Sequence, residues 1–332
     1  MAGYRVAVVG ATGAVGRTLV QVLAERSFPV SDLKLYATER SVGTGIRFGN
    51  ELLEVRRLDE GELDGTEFAF FCATAEVSRR LAPRLASRGT VVIDKSSHFR
   101  MDPGVPLIVP EVNAEALRHH AGIISSPNCS TIQVVVAVNP IHLMSPVRRM
   151  VVATYQAVSG TGLDGVDELS RQSRAALEGA EASGSVYPRR IAFNVIPQID
   201  AFEPSGFTGE EMKLVRETRK IMGDEGIKIT ATCVRVPVFH CHSEAVILET
   251  RDPLDANEVL EQLEKAPGVR LSRGESGYHT PAECAGRDEV FVSRVRQDPC
   301  LENGLSMWVV ADNLRKGAAT NAVQIAECIA GR

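Results

Sequence analysis

The sequence predicts two domains: a doubly wound α/β unit, then an α+β unit built on a mainly antiparallel sheet. Three observations carry this. A chain of 332 residues is long for a single core. Up to about residue 125, short apolar runs alternate with amphipathic stretches. Beyond about residue 130 the apolar runs lengthen and become β-rich.

In the first part, Val6–Val9 reads as a strand and Arg17–Glu25 as a helix with Leu19, Val20 and Leu23 on one side. Leu33–Ala37 and Phe68–Cys72 read as further strands, and Val77–Ser87 as the helix after the latter. Val91–Asp94 and Gly122–Ser125 complete the set. Near-continuous apolar runs bounded by turns suit strands buried on both faces, as in a parallel sheet covered by helices. Strand and helix in alternation give the doubly wound reading.

In the second part, Val147–Val158, Lys228–Pro237, Ala245–Thr250, Glu289–Val295 and Ser306–Ala311 read as strands. Val166–Leu177 and Gly209–Met222 read as helices between them. The last element, Lys316–Ile329, is a helix with Ala319, Val323, Ile325 and Ala326 apolar, expected to return to the first domain. The boundaries follow: 1–128 with 313–332 for one domain, 129–312 for the other.

Composition excludes several classes. A net charge of −5 with no basic run argues against nucleic acid or a membrane surface as partner. The apolar run in MAGYRVAVVG is too short for a signal peptide, and no segment reads as a membrane span. The seven cysteines are scattered, odd in number and never spaced CxxC, unlike a disulfide framework or a structural zinc site. A reducing cytoplasm is expected, with most thiols acting as small buried hydrophobes.

The stretch VAVVGATGAVGRTL sets Gly10, Gly13 and Gly16 between the first strand and the first helix, with Thr12, Ala14 and Val15 in the same loop. Glycine there lets backbone approach a pyrophosphate whose charge the helix N-terminus meets. The spacing is GxxGxxG, not the commoner GxGxxG, and a bare strand-to-helix turn is the alternative. At the end of the second strand the chain reads LYATERSVG. Glu39 can serve ribose hydroxyls, whereas Arg40 and Ser41 suit a ribose 2′-phosphate, which favours NADP.

In SSPNCSTIQ, Cys129 falls between a strand end and the helix that STIQVVVAVN can start. Unpaired amides and the macrodipole at a helix N-terminus stabilise a thiolate. Asn128 offers an amide donor beside it. A thiolate and a nicotinamide in one chain suggest thiolate addition to an acyl carbon with hydride passing to or from the adduct. A cysteine packed in an apolar neighbourhood is the bland alternative.

GATGAVG, DKSSHFRM, SSPNCSTIQ, TYQAVSGTG, RVPVFHCHSEA and KGAATNAVQIAE occur in this order. Together, from residue 5 to about 330, they closely resemble the aspartate-β-semialdehyde dehydrogenase family. The resemblance implies a Rossmann-type NADP-binding domain plus a catalytic and dimerisation domain. It also implies interconversion of L-4-aspartyl phosphate and NADPH with L-aspartate 4-semialdehyde, phosphate and NADP, on the route to lysine, methionine, threonine and diaminopimelate.

By the resemblance, Cys129 is the nucleophile that forms a thioester. His240 and His242 would share a strand face, so spacing does not choose between them. The family pattern selects His242, whose near-neutral intrinsic pKa suits proton exchange. Arg235 resembles the arginine that clamps the substrate carboxylate. Seven residues separate it from His242, so one regular strand would point them to opposite faces, and Pro237 is expected to break that strand.

Arg100 and Lys213 resemble phosphate-binding cations, and Glu210, three before Lys213, the carboxylate for the substrate amino group. Glu211 is an adjacent competitor, and Glu210–Lys213 alone reads as a surface ion pair. Gln156 resembles the amide that orients the reacting carbonyl. Ser159, Gly160, Asn321 and Gln324 resemble cofactor contacts near the nicotinamide. No metal ligand set is evident. The resemblance further implies a homodimer or homotetramer, with Val166–Leu177 and AFNVIPQI (Ala192–Ile199) contributing to the interface.

Two other readings stand beside this one. N-acetyl-γ-glutamyl-phosphate reductases share the chemistry, but their cysteine block reads closer to NPGC. A non-catalytic dinucleotide-binding subunit would not be expected to keep Cys129, Gln156, Arg235 and His242 together.

Overall fold

In a computed structural model of the chain, residues 3–59, 61–181, 184–273 and 277–331 are described. They divide into one unit of Met1–Asn128 with Ala318–Arg332, and another of Cys129–Gly317. The chain crosses after Asn128 and again after Gly317, where the sequence reading put the crossings after 128 and 312.

The first unit carries strands β1 (Tyr4–Val9), β2 (Val30–Ala37), β3 (Gly45–Phe48), β4 (Glu51–Arg57), β5 (Phe68–Phe71), β6 (Val91–Asp94) and β7 (Ile123–Ser125). They form one sheet in the order β3-β4-β2-β1-β5-β6-β7. All pairs are parallel except the β3–β4 hairpin. Sequence patterning missed that hairpin because its strands are mostly exposed and polar.

Helices α1 (Ala14–Glu25), α2 (Ala75–Ala86) and the short α3 (Pro110–Asn113) accompany the sheet. Every residue of β5 (FAFF) is buried, which is why it reads as an unbroken apolar run. The chain leaves β1 for β2 on one side, and β5 lies on the other. This reversal opens a crevice at the carboxyl end of β1, where Gly10 sits.

The second unit holds α4 (Cys129–Met144), β8 (Val147–Gln156), α5 (Leu163–Leu177), α6 (Gly209–Met222), β9 (Lys228–Arg235) and β10 (His242–Thr250). It continues with α7 (Ala256–Lys265), β11 (Val269–Leu271), α8 (Pro281–Cys284), β12 (Val290–Gln297) and β13 (Gly304–Ala311). Its sheet runs β11-β12-β13-β10-β8-β9. The three central pairs are antiparallel, while β8–β9 and β11–β12 are parallel.

Several expected bounds shift. The strand from Val147 stops at Gln156, and Val158–Thr161 forms a 3₁₀ turn. The strand from Lys228 stops at Arg235, two residues before Pro237, and the strand expected from Ala245 starts at His242. The expected helix Lys316–Ile329 opens instead as a π-type turn, Arg315–Thr320, with α-helix only over Asn321–Ile329. That C-terminal helix lies in the first unit, held to α1 by a two-pronged ion pair from Arg26 to Glu327 at 2.9 and 2.6 Å.

Candidate active site

β9 and β10 are separate strands with β8 between them. Arg235 pairs with Gln156, and Ser243 pairs with Tyr155. Continued by one residue, this register sets His242 opposite Gln156, so Arg235, Gln156 and His242 form one row across one face. The seven-residue separation is therefore no obstacle. His240 does not share that face. It is exposed in the preceding turn, and buried Cys241 between the two adopts φ +70°. Left-handed backbone costs a non-glycine residue about 1–2 kcal/mol. It persists here because the Cys241 N–H donates 3.0 Å to Asn313 Oδ1, which also accepts from Ser159 Oγ at 3.1 Å.

His242 is fully buried. Its Nδ1 accepts the Ala157 N–H at 3.0 Å, and its Nε2 has no hydrogen-bond partner. An accepting Nδ1 leaves the ring proton on Nε2. Burial, then the neighbouring Arg235 charge, push its pKa well below 6.5, against an opposing pull from the Cys241 backbone. The expectation of a histidine titrating near neutrality therefore changes: this ring is neutral and presents an N–H.

Arg235 is 6% exposed and donates from Nη1 to the Ala157 carbonyl at 2.7 Å. Its Nε has no partner, and no carboxylate pairs with it among the described residues. A buried cation in that state is a strong attractor for an anionic ligand. Gly160 completes the corner. A Cβ there would stand 2.9 Å from Arg235 Nη1 and 3.2 Å from His242 Cε1, so any side chain would push one of the two groups out of place.

Gln156 is held from two sides. Its Nε2 donates to Glu210 Oε1 at 3.0 Å, and its Oε1 accepts from Thr154 at 3.1 Å. Glu210 in turn lies 3.4 Å from Lys213 Nζ, which donates to Asp200 at 2.8 Å. Lys213 is thus shared between two carboxylates. Glu211, the competitor for the carboxylate role, is engaged in the capping box of α6 with Thr208 and accepts from the Cys233 N–H at 3.0 Å. That separates it from Glu210.

Cys129 is the first residue of α4, as the helix-start argument expects, and is partly buried. The π-type turn brings Gly317 against it, where a Cβ would sit 2.9 Å from the Cys129 Cβ. Burial pushes the Cys72 and Cys284 thiols up to about 12, and those of Cys233 and Cys241 higher still, which suits inert packing. Among the described residues, no three His, Cys, Asp or Glu side chains are grouped to hold a metal.

In the first unit, the turn after β6 is organised by Asp94. Its carboxylate accepts from Ser78 Oγ at 2.7 Å, the Ser96 N–H at 3.0 Å and Ser96 Oγ at 2.7 Å. That turn leads to Arg100, buried, with Nη2 donating to the Lys95 carbonyl at 2.8 Å. Asn128 is also buried.

The glycine loop divides its labour. A Cβ on Gly10 (φ +86°) would lie 2.4 Å from the Cys72 carbonyl oxygen, and one on Gly16 2.2 Å from that of Gly10. Both glycines answer the protein's own packing. Gly13 is exposed, and a Cβ there would meet nothing nearer than 3.6 Å. It precedes α1, whose N-terminus has no side-chain cap and no acidic residue in its first turn. Open backbone before an uncapped helix fits a dinucleotide pyrophosphate.

Thr12 donates to Ser41 Oγ at 3.2 Å, beside exposed Arg40, while Glu39 is drawn 3.0 Å from Arg57. Asn321 is buried, its Nδ2 donating to the Ile108 carbonyl and Ser126 Oγ, both at 3.0 Å. Gln324 donates to Glu111 at 2.9 Å.

Sequence reasoning missed Gln133, Glu244, Asn313 and the Ala157 backbone. Gln133 and Glu244 were within reach. One lies four residues after Cys129, the other two after His242, the periods that keep helix and strand residues on one face.

The chain matches the family model described as the semialdehyde dehydrogenase NAD binding domain over residues 5–120. It matches the semialdehyde dehydrogenase dimerisation domain over 138–316. It is 52% identical over 333 residues to the aspartate-semialdehyde dehydrogenase of Aquifex aeolicus, covering 98% of each chain. It is 49% identical to aspartate-semialdehyde dehydrogenase 2 of Vibrio cholerae, over 98% of this chain and 97% of that one. Among solved structures, Vibrio cholerae aspartate semialdehyde dehydrogenase II complexed with ASA superposes with a TM-score of 0.97 at 48% identity, over 99% and 98% of the two chains.

Proposed function

This chain belongs to the semialdehyde dehydrogenase family, and on that premise we propose that it reduces L-4-aspartyl phosphate to L-aspartate 4-semialdehyde and phosphate with NADPH, reversibly. One observation carries the reading. A buried Arg235 without a carboxylate stands beside a buried His242 whose Nε2 has nothing to bond. An amino-acid carboxylate supplies the missing charge, and a reacting carbonyl oxygen supplies the missing acceptor.

Cys129, as thiolate, attacks the acyl carbon; the bond to phosphate breaks, inorganic phosphate leaves and a thioester remains. Arg100 and Lys213 are the cations assigned to the phosphate, and Glu210 the carboxylate for the substrate amino group. Gln156, fixed by Glu210 and Thr154, orients the acyl group. Asn128 is assigned to its carbonyl oxygen. The nicotinamide, when bound, supplies a hydride to the thioester carbon. His242 offers its Nε2–H to the resulting oxyanion, whose collapse frees the aldehyde and returns Cys129 as thiolate.

For the cofactor, Gly10, Thr12, Gly13, Ala14, Val15 and Gly16 form the proposed pyrophosphate cradle. Arg40 and Ser41 take the 2′-phosphate, a reading supported by the engagement of Glu39 with Arg57. Gly160 and Gln324 stay as proposed contacts. Ser159 and Asn321 stay as proposed contacts too, each fixed in place by a hydrogen bond, to Asn313 Oδ1 and to the Ile108 carbonyl.

The reaction belongs to the biosynthesis of lysine, methionine, threonine and diaminopimelate, in the cytoplasm. A homodimer is proposed. The sheet face opposite Arg235 and His242 leaves Val151 and Tyr155 each 40% exposed, with Tyr155 5.5 Å from the Trp308 ring. Leu177, on α5, and Phe193 are also exposed. Sedimentation as a stable monomer at micromolar concentration would count against it.

The test is a coenzyme and substrate panel. Phosphate-dependent NADP reduction is expected with aspartate semialdehyde and not with N-acetylglutamate semialdehyde, and is lost in Cys129→Ala while the fold is kept. Undiminished turnover in that variant would falsify the thioester mechanism.

A further inference from the structure

Glu244 lies two residues after His242 on β10, and therefore on the same face. It is completely buried, and neither carboxyl oxygen has a hydrogen-bond partner. Gln133 lies four residues after Cys129 on α4, also completely buried, and its Oε1 is likewise without a partner. Its Nε2 donates to the backbone carbonyl of His242 at 3.4 Å. The Gln133 amide is a polar neighbour of the Glu244 carboxyl without closing a hydrogen bond of good geometry to it.

Three buried oxygens thus meet with too few hydrogens between them, and leaving such atoms unmade costs on the order of 1–3 kcal/mol each. The other groups around Glu244 make matters worse for an anion. Glu210 faces it from α6, Thr154 sits opposite on β8, Val309 opposite on β13, and Cys233 lies beyond on β9. No cation acts on it among the described residues.

We infer that Glu244 is a positioning residue that works as a neutral carboxylic acid, its O–H donated to Gln133 Oε1 while its carbonyl accepts one Gln133 N–H. The second N–H of that amide is the one that reaches His242. One proton on Glu244 therefore satisfies all three oxygens in a flat acid–amide pair. The pair latches the helix that begins with Cys129 onto the strand that begins with His242. Burial, opposed by the Gln133 amide and aided by the Glu210 charge, holds the carboxyl well above the usual carboxylate range, which agrees with the proton count.

This inference rests on the proposed reaction for its kinetic arm only. Difference infrared spectra of the full-length protein at pH 7, wild type minus Glu244→Gln, should show a protonated carboxylic-acid carbonyl band. A carboxylate pair of bands in its place overturns the inference. Glutamine keeps a donor and an acceptor in the same plane, so Glu244→Gln should keep kcat within about threefold. Glu244→Met should lower kcat about tenfold or more with the substrate KM little changed, and slow alkylation of Cys129 by iodoacetamide by a similar factor.

Equal damage in Glu244→Gln and Glu244→Met overturns the acid–amide pair, as does unchanged alkylation in a folded Glu244→Met. The infrared and alkylation arms need no substrate. Failure of the semialdehyde assay alone would strike the functional reading and leave these two standing.

Discussion

The Ala157 N–H donates to Nδ1 of His242 at 3.0 Å, and this contact decides which ring nitrogen carries the proton. A second proton on the ring would have to sit on Nδ1, facing that N–H. His242 is therefore built to give a hydrogen bond through Nε2. Glutamine can place an N–H near the same point, and leucine cannot. His242→Leu is expected to lose about 10²–10³ in kcat, the usual worth of one oxyanion donor, with His242→Gln retaining clearly more. Nitrogen-15 NMR of the free protein should show the Nε2–H tautomer with no titration between pH 6 and 9. An imidazolium signal in that range, or equal loss in both variants, would refute the assignment.

Gly160 lends itself to a second test. A methyl group there has to displace the Arg235 guanidinium or the His242 ring by several tenths of an ångström. Misplacement of that size, a fraction of an ångström, is expected to lower kcat/KM by roughly tenfold. The melting temperature should move little, because Gly160 has an ordinary φ and the adjoining groups can shift. Wild-type kcat/KM in Gly160→Ala would show that the corner tolerates rearrangement.

The glycine loop offers a paired comparison. Gly16→Ala should destabilise the fold by about 1–3 kcal/mol through overpacking against Gly10 and Ala11. Gly13→Ala should keep stability within about 1 kcal/mol yet weaken dinucleotide binding about tenfold by intruding on the open backbone. Calorimetric unfolding and cofactor titration read the two effects separately. Unaltered affinity in Gly13→Ala would argue that the pyrophosphate lies elsewhere.

Stability against pH supplies a fourth. The folded pKa of Glu244 is raised above 4.5, so the stability it contributes is present in full below that value. It is lost as pH rises from there through the folded value, because the unfolded chain ionises freely. Glu244→Gln removes this loss. The stability of the variant relative to wild type should climb by up to about 1.4 kcal/mol per pH unit above 4.5, levelling once folded Glu244 ionises. Urea unfolding at several pH values checks it; a flat difference would mean the carboxyl is not perturbed. His242 has the opposite sign, its lowered pKa eroding stability as pH falls below 6.5, but it is common to both proteins.

Much of this was legible in the sequence because its signals are periodic. The buried strands of the first unit announce themselves as unbroken apolar runs, and β5 is the plainest case. The β3–β4 hairpin was missed because its mostly exposed strands leave no such trace, whereas α7 carries Val259 and Leu263 at helical spacing and could have been read. At the site, Cys129 could be placed at a helix start from its neighbours. The tautomer of His242 could not, since it depends on a backbone amide 85 residues away. Nor could the left-handed Cys241, which removes His240 from the strand on which alternation alone would have put it.

Every residue of α4 from Ser130 to Val138 is buried. A segment enclosed on all sides cannot fray alone, so its amides should be among the slowest in the protein to exchange with deuterium. Cys129, the proposed nucleophile, is thus mounted directly before an enclosed helical segment.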